Sequence, residues 1–217
     1  SRHWKTLISL SRDRYSALHD SLGTADMTIF RWMNGLLGDK FLTKNPEIEN
    51  LVWGLDDMNP FTGVCHHSGE CRGFESGCRE CPALREPFVN LAQQNLKRKL
   101  AFADRFDPRF VAPTDWVYGK FKSSTLGKDR ESKKILNPLP SRFFEATNQQ
   151  ATNSSQFRIL IIAANLDDPT KGVWDAVNVL SELLQQSSFS LTLVGTSSKK
   201  LRSRLPEAEF LGQVGSQ

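Results

Sequence analysis

The chain contains no apolar run that approaches the ~20 residues a helix needs to cross a bilayer. Its first twenty residues, SRHWKTLISLSRDRYSALHD, have only a short apolar stretch, which Arg12, Asp13 and Arg14 interrupt. They therefore lack the apolar core and the cleavage site of a secretory signal peptide. These absences predict a cytoplasmic protein, and in that compartment cysteines are normally reduced.

A strong charge is also absent. The chain has 28 Lys and Arg against 24 Asp and Glu, a net charge of +4, with a pI near 8.9. This mild excess argues against a nucleic-acid-binding protein but is compatible with phosphate-bearing ligands. Hydrophobic residues make up 39% of the chain, which is enough for a core and argues against disorder along the whole length.

The basic residues near the start are interleaved with apolar ones. Arg2, Lys5, Arg12 and Arg14 share this segment with Trp4, Leu7, Ile8 and Leu10. The pattern is open to two interpretations: an amphipathic helix in peripheral contact with the inner face of a membrane, or an ordinary surface helix.

A polar stretch divides the chain into two blocks. Residues 145–156, EATNQQATNSSQ, have almost no apolar side chains, so we predict a linker at 146–156. The block from 157 to 217 alternates strands with helices, and its first strand, 157–166, is apolar enough to be buried on both faces. The predicted strands are 157–166, 189–195 and 208–214, and the predicted helices are 173–186 and 197–205.

The block from 1 to 145 shows the same alternation less clearly. Its predicted strands are 25–32, 49–55, 109–114 and 133–140, and its predicted helices are 87–104 and 115–126, the latter with an N-cap at Thr114 or Asp115. Both blocks therefore predict α/β domains with parallel sheets. We expect both domains to be incomplete in this chain, the first at its start and the second at its end.

All four cysteines lie within one passage, GVCHHSGECRGFESGCRECP, at residues 63–82. The two-residue gap between Cys78 and Cys81 is typical of zinc knuckles, and Cys65 and Cys71 would complete a four-thiolate site, with His66 as a substitute ligand. Such a closed site would be structural, because no position is left for water. Two disulfides and four free thiols are the alternatives. In each case the cluster is expected to hold a long loop in shape.

Four stretches in this order resemble a known enzyme family. ADMTIFRWMNGLL resembles a strand that ends in His-Trp-aliphatic-Asn-Gly, and LVWGLDDMNPFTGVCHHSGECRGFESGCRECPAL resembles the signature TLHDMWPFTGGCHYS…C…GC..CP. VAPTDWVYGKFKSSTL resembles APSxWL…S.L, and KKILNPLPSRFFEA with RILIIAANLDDPTKGVWDAVNVL resembles the entry into a second Rossmann domain. The family is that of GT-B-fold glycosyltransferases of the family 4 type, which build bacterial capsular, exopolysaccharide and colanic-acid-like chains.

The resemblance implies two Rossmann-like lobes and the transfer of a sugar from a nucleotide-sugar donor to a saccharide or lipid-linked acceptor. No cofactor is required for that chemistry, since basic side chains and helix N-termini neutralise the departing diphosphate. Lys171 and Gly172 occupy the position where the family contacts the donor diphosphate. Asp56 and Asp57 follow a predicted strand and are the candidate catalytic residues, one of them as a general base for the acceptor hydroxyl.

The sequence departs from the family at several positions. The family's Thr-Leu-His-Asp is here Gly54, Leu55, Asp56 and Asp57, so a carboxylate stands where the resemblance places an imidazole; Asn59 and Val64 replace a Trp and a Gly. We therefore expect this chain alone to be inactive. The alternatives are a non-catalytic GT-B-like binding or assembly subunit and a metal-stabilised carbohydrate-binding module.

Overall fold

The computed structural model describes residues 25–33, 48–145, 157–183 and 189–215. The chain divides into two compact units, one spanning Lys5–Leu139 and the other containing Pro140–Gln217. The division lies six residues before the predicted linker, 146–156. That linker and the basic N-terminal segment, residues 2–14, are outside the described residues.

Parallel strands and helices build the first unit. The strands are β1 (Thr28–Phe30), β2 (Leu51–Gly54), β3 (Arg109–Ala112) and β4 (Ser132–Lys134), and the main helices are α1 (Leu91–Phe106) and α2 (Asp115–Ser123). The strands pair in the order β1-β2-β3-β4, and every pair is parallel. The elements predicted for this block are present, although each strand is shorter than its apolar run.

Helix α2 begins where the sequence predicts. The side chain of Thr114 accepts a hydrogen bond from the backbone N–H of Val117 at 3.3 Å, so Thr114 rather than Asp115 is the N-cap. This cap places the first turn of α2 directly after β3. The residues between β3 and α2 therefore lie at the carboxyl edge of the sheet.

The core of the first unit is aromatic. Trp53 of β2 stacks on Phe110 of β3 with ring centroids 5.9 Å apart and meets Phe102 of α1 edge-on at 5.5 Å. Phe61 and Phe121, both fully buried, extend this cluster. Large rings of this kind dominate core energetics, so the loop that carries Phe61 is tied to the sheet by packing.

The second unit begins with a short helix, α3 (Arg142–Glu145), and contains a three-stranded sheet. Its strands and remaining helices are β5 (Phe157–Asn165), α4 (Val173–Leu183), β6 (Phe189–Thr196), α5 (Lys199–Arg204) and β7 (Glu209–Gly212). The strands pair in the order β5-β6-β7, again all parallel. Both units are thus α/β with parallel sheets, an arrangement compatible with Rossmann-like folds.

The prediction that β5 is buried on both faces is wrong for this structure. Ile159 and Ile161 pack against the apolar core formed with α4 and α5, but Leu160 and Ile162, on the opposite face, are 59% and 69% exposed. Within the described residues, helices cover only one face of this sheet. The apolar run correctly predicted a strand, but it does not determine whether helices cover both faces of the sheet.

Helix α1, with 16 residues, is the longest in the described part of the chain. A search of that part finds no helix with both the length and the apolarity needed to cross a membrane.

Candidate functional site

Three strand ends of the first unit meet through one arginine. Arg31, which follows β1, donates from Nε to Asp56 Oδ2 at 3.0 Å and from Nη2 to Asp56 Oδ1. Its Nη2 also donates to Asn137 Oδ1 at 3.0 Å, just after β4. The hydrogen bond with Asp56 raises the pKa of Arg31. The Asp56 carboxylate, predicted as a catalytic group, is therefore engaged by a guanidinium on both oxygens.

Asp57, the second predicted catalytic residue, has different partners. Its Oδ1 accepts from the backbone N–H of Asn59 at 2.8 Å, and its Oδ2 pairs with Nδ1 of His66. An ionised carboxylate can only accept, so Nδ1 is the donating nitrogen of this pair. The carboxylate fixes the orientation of the imidazole, whose side chain is only 9% exposed.

Two exposed tryptophans stack on two consecutive histidines. The Trp32 ring lies on His66 with centroids 4.8 Å apart and planes at 20°, and Trp116, at the start of α2, lies on His67 at 5.1 Å and 19°. Both tryptophans are about half exposed. The loop after Cys65 is thus held against the ends of β1 and β3 by ring stacking.

A cleft opens at this carboxyl edge. It encloses about 270 Å³, including the part open to solvent, and is lined by residues that follow β1 and by residues at the end of β2 and after it. Its polar lining comprises Arg31, Trp32, Asp56, Asp57 and Asn59. Ligands of parallel α/β sheets bind beyond the carboxyl ends of the strands, so this is the position where the fold favours a site.

A buried lysine fixes the loop below the cleft. Lys99 of α1 is 9% exposed, and its Nζ donates to Asn59 O at 2.6 Å, to Asn59 Oδ1 at 3.2 Å and to Thr62 O at 2.9 Å. Three acceptors satisfy the donors of one ammonium group, which offsets the cost of burying its charge. The turn between Asp57 and the cysteine-rich passage is therefore anchored to α1.

The four cysteines form no disulfide in this structure and line one cavity. Cys65, Cys71, Cys78 and Cys81 surround a space of about 320 Å³ that is partly open to solvent. Burial, followed by the charges of the other three cysteines, raises the pKa of Cys65 to about 12. The disulfides considered above are not formed. In the described residues, no three His, Cys, Asp or Glu side chains lie close enough together to hold a metal ion.

In the second unit, Lys171 and Gly172 lie at a strand-to-helix junction. Lys171 ends a short 3-10 turn, Pro169–Lys171, and Gly172 adopts a left-handed φ of 64° immediately before α4. The Asp168 carboxylate accepts from the Thr170 N–H and Oγ1, both at 2.8 Å, and these bonds lower the pKa of Asp168. Lys171 is exposed at the carboxyl end of β5, as the sequence predicts.

A second carboxylate joins two loops at the same edge. Asp167, after β5, accepts from the Ser198 N–H at 2.5 Å and from Ser198 Oγ at 2.7 Å. Ser198 is also the N-cap of α5. The loop that carries Lys171 is therefore tied to the loop after β6, which limits the positions its backbone can take.

Arg31, Lys99 and Asn137 were not identified from the sequence, and His66 was considered only as a metal ligand. Arg31 had a usable signal, since a charged residue at the end of a predicted strand lies at the ligand-binding edge. The other two had none, because their roles depend on partners 40 and 106 residues away. His66 lies nine positions after Asp57, along a loop that contains the 3-10 turn Asn59–Phe61.

A comparison with protein-family models and with curated proteins gave no match for this chain.

Proposed function

We propose that this chain is part of a GT-B-fold glycosyltransferase of the family 4 type, which transfers a sugar from a nucleotide-sugar donor to an acceptor hydroxyl in cell-surface polysaccharide synthesis. The motif resemblance supports the proposal, and so does the presence of two α/β units with parallel sheets. In this proposal, the two units are the two Rossmann-like lobes of that fold.

The observation that carries the proposal is the polar constellation at the carboxyl edge of the first sheet. Asp57 pairs with His66, and Asp56 accepts hydrogen bonds from Arg31. Both pairs lie beside a cleft that the exposed indole of Trp32 lines. A sugar hydroxyl needs a proton acceptor and a fixed orientation, and an imidazole oriented by a carboxylate provides both. An exposed indole face suits the apolar face of a pyranose ring.

In the proposed reaction, the acceptor oxygen forms a bond to the anomeric carbon of the donor sugar. The bond from that carbon to the phosphate oxygen breaks, and its electron pair leaves with the nucleoside diphosphate. The hydroxyl proton passes to the Asp57–His66 pair. Asp56 is a weaker candidate for the proton acceptor, because Arg31 occupies both of its oxygens.

In this scheme, Lys171 stabilises the negative charge of the leaving diphosphate. It is an exposed cation at a βα junction, and the left-handed Gly172 turns the chain into α4. A lysine beside a helix start attracts a diphosphate by its own charge and by the partial positive charge of the helix N-terminus. Asp167 and Asp168 are occupied by backbone and hydroxyl donors, which reduces their repulsion of an anion.

The second candidate is a GT-B-like binding or assembly subunit without catalytic activity. The Arg31–Asp56 pair favours it, since the position where the resemblance places an imidazole holds a carboxylate neutralised by a guanidinium. Such a subunit would bind the nucleotide-sugar or the saccharide and transfer nothing.

The test uses the full-length protein and a panel of nucleotide-sugars, with release of nucleoside diphosphate measured with and without saccharide acceptors. Asp57→Asn should reduce turnover at least about 100-fold, the scale of a lost proton-transfer group. Asp129→Asn, at an exposed position far along the chain, is the matched control. Binding of a nucleotide-sugar or of a saccharide without turnover in the wild type would support the second candidate, and absence of binding to either would refute both.

A further inference from the structure

The passage 63–82, which contains the 3-10 turn Gly73–Glu75, brings four thiols to one cavity. Two of the sulfurs already accept backbone hydrogen bonds: Cys71 Sγ from the Gly73 N–H and Cys78 Sγ from the Gly63 N–H, both at 3.3 Å. A hydrogen bond donated to sulfur favours the thiolate over the thiol. Backbone amides of this kind stabilise cysteine ligands and fix their direction.

The backbone around the last pair is held in unusual conformations. Cys78 and Glu80 have left-handed φ angles of 54° and 49°, and Gly77 before them has a φ of 95°. Non-glycine residues seldom adopt this region, and clusters of such residues mark positions where the surrounding structure imposes a constraint. Here the constraint turns Cys78 and Cys81 toward the same cavity.

A buried positive charge lies near the thiols. The Lys99 ammonium binds the carbonyls of Asn59 and Thr62, at the start of the cysteine passage. Lys99 would offset part of the charge of any anionic group formed in the cavity.

We propose that Cys65, Cys71, Cys78 and Cys81 bind one structural Zn²⁺ ion. The four thiols release four protons, and the resulting tetrathiolate complex carries a net charge of −2, which the amide donors and Lys99 offset. As these side chains stand, no three of them are close enough together to hold a metal ion, so the proposal requires rotation about χ1, which moves a cysteine sulfur without moving the backbone, to bring the sulfurs to about 2.3 Å from the ion. All four positions are filled by protein, and the ion takes no part in chemistry.

The ion would act on the site by holding the loop. Thr62 Oγ1 donates to Cys65 O at 2.6 Å, and the backbone N–H of Met58 donates to His66 O at 3.0 Å. The residue that ligates zinc, Cys65, is thus directly followed by the imidazole that pairs with Asp57. Loss of the metal should loosen His66 before it unfolds the sheet.

The first experiment measures metal and thiols in the full-length protein, purified under reducing conditions without chelator. We expect one zinc per chain and no thiol reactive toward a disulfide reagent until a strong chelator is added. Replacement of zinc by Co²⁺ should give the intense sulfur-to-cobalt absorption of a tetrahedral thiolate site. No stoichiometric zinc, with four reactive thiols or two disulfides, would overturn the proposal, whatever the transferase assay shows.

The second experiment uses variants in the same loop. Cys71→Ser and Cys78→Ser should each lose stoichiometric zinc, whereas Ser76→Ala, between them, should retain it. If the cysteine variants do not fold, the metal and thiol measurements on the wild-type protein still decide the proposal. Zinc retained at wild-type affinity in a folded Cys71→Ser variant would contradict a role for Cys71.

Discussion

The two units share a parallel α/β plan but hold their candidate residues in different ways. In the first unit, Arg31, Asp57 and Lys99 are fixed by several side-chain hydrogen bonds above an aromatic core. In the second, the core is aliphatic, and Lys171 is exposed on a turn fixed by backbone bonds and by Asp168. A substitution in the first site therefore tests folding together with function, whereas one in the second tests ligand binding alone.

The largest expected effect concerns the aromatic core. Trp53→Ala should lower the free energy of unfolding by about 3–5 kcal/mol, because Trp53 is 2% exposed and contacts three aromatic rings. Trp116→Ala, at a 49% exposed ring, is the control and should cost about 1 kcal/mol or less. Urea unfolding measures both. Equal losses would show that the first unit does not depend on its aromatic core.

The next largest effect on stability is expected for the buried lysine of α1, compared with an exposed lysine on the same helix. Lys99→Met keeps the aliphatic stem but removes the lysine donor from the carbonyl of Thr62, at about 1–3 kcal/mol for a buried acceptor left unsatisfied, whereas the carbonyl of Asn59 keeps its bond from the Thr62 N–H. Lys97→Met, at an exposed position of α1, should change stability by less than about 0.5 kcal/mol. Thermal unfolding measures the stability of both variants. A Lys99→Met protein as stable as the wild type would show that Lys99 does not anchor the loop.

A smaller effect is expected at the pair beneath the cleft. Asp57→Asn retains the size of the side chain but replaces one of its two acceptor oxygens with a donating amide, so either the bond with His66 or the bond from the Asn59 N–H is lost, at about 1 kcal/mol, and the charge beside the imidazole is lost in both cases. The imidazole should then change its NMR chemical shifts, since its orientation is no longer fixed. Asp129→Asn should leave those shifts unchanged, and unchanged His66 signals in Asp57→Asn would mean that the pair does not form in solution.

The smallest effect on stability is expected in the second unit. Lys171→Ala removes an exposed side chain and should alter the free energy of unfolding by less than about 0.5 kcal/mol. Its effect on nucleoside diphosphate binding should be about tenfold or more, because a charge-assisted contact is worth about 1.5–3 kcal/mol. Calorimetry of Lys171→Ala against Lys199→Ala, an exposed lysine of α5, makes the comparison. Equal affinity in the two variants would exclude Lys171 from the diphosphate site.

The sequence predicted the strands and helices better than it predicted the contacts between distant side chains. Apolar runs located β5 and β6, and Thr114 marked the start of α2, because these signals are local. The exposure of Leu160 and Ile162 could not be predicted, since an apolar run does not state what covers each face. The approach of Arg31 to Asp56 depends on strand register between distant segments, and periodicity does not encode that register.

The candidate site was therefore predicted in part. Asp56, Asp57 and Lys171 were found because they follow strands, and the carboxyl edge of a parallel sheet is where ligands bind. His66 reaches the same edge through the fold of the loop that follows Asp57, and the eight residues between Asp57 and His66 show no regular apolar period. The state of the cysteines also depends on that fold, and metal analysis will decide it.

The proposed function requires that the donor diphosphate binds at the βα junction of the second unit. Titration of isotopically labelled protein with a nucleoside diphosphate, followed by amide NMR, tests this claim most directly. The account predicts saturable shifts centred on the amides of Thr170, Lys171 and Gly172, and their loss in Lys171→Ala. Saturable shifts confined to other residues, or no saturable shift at all, would contradict it.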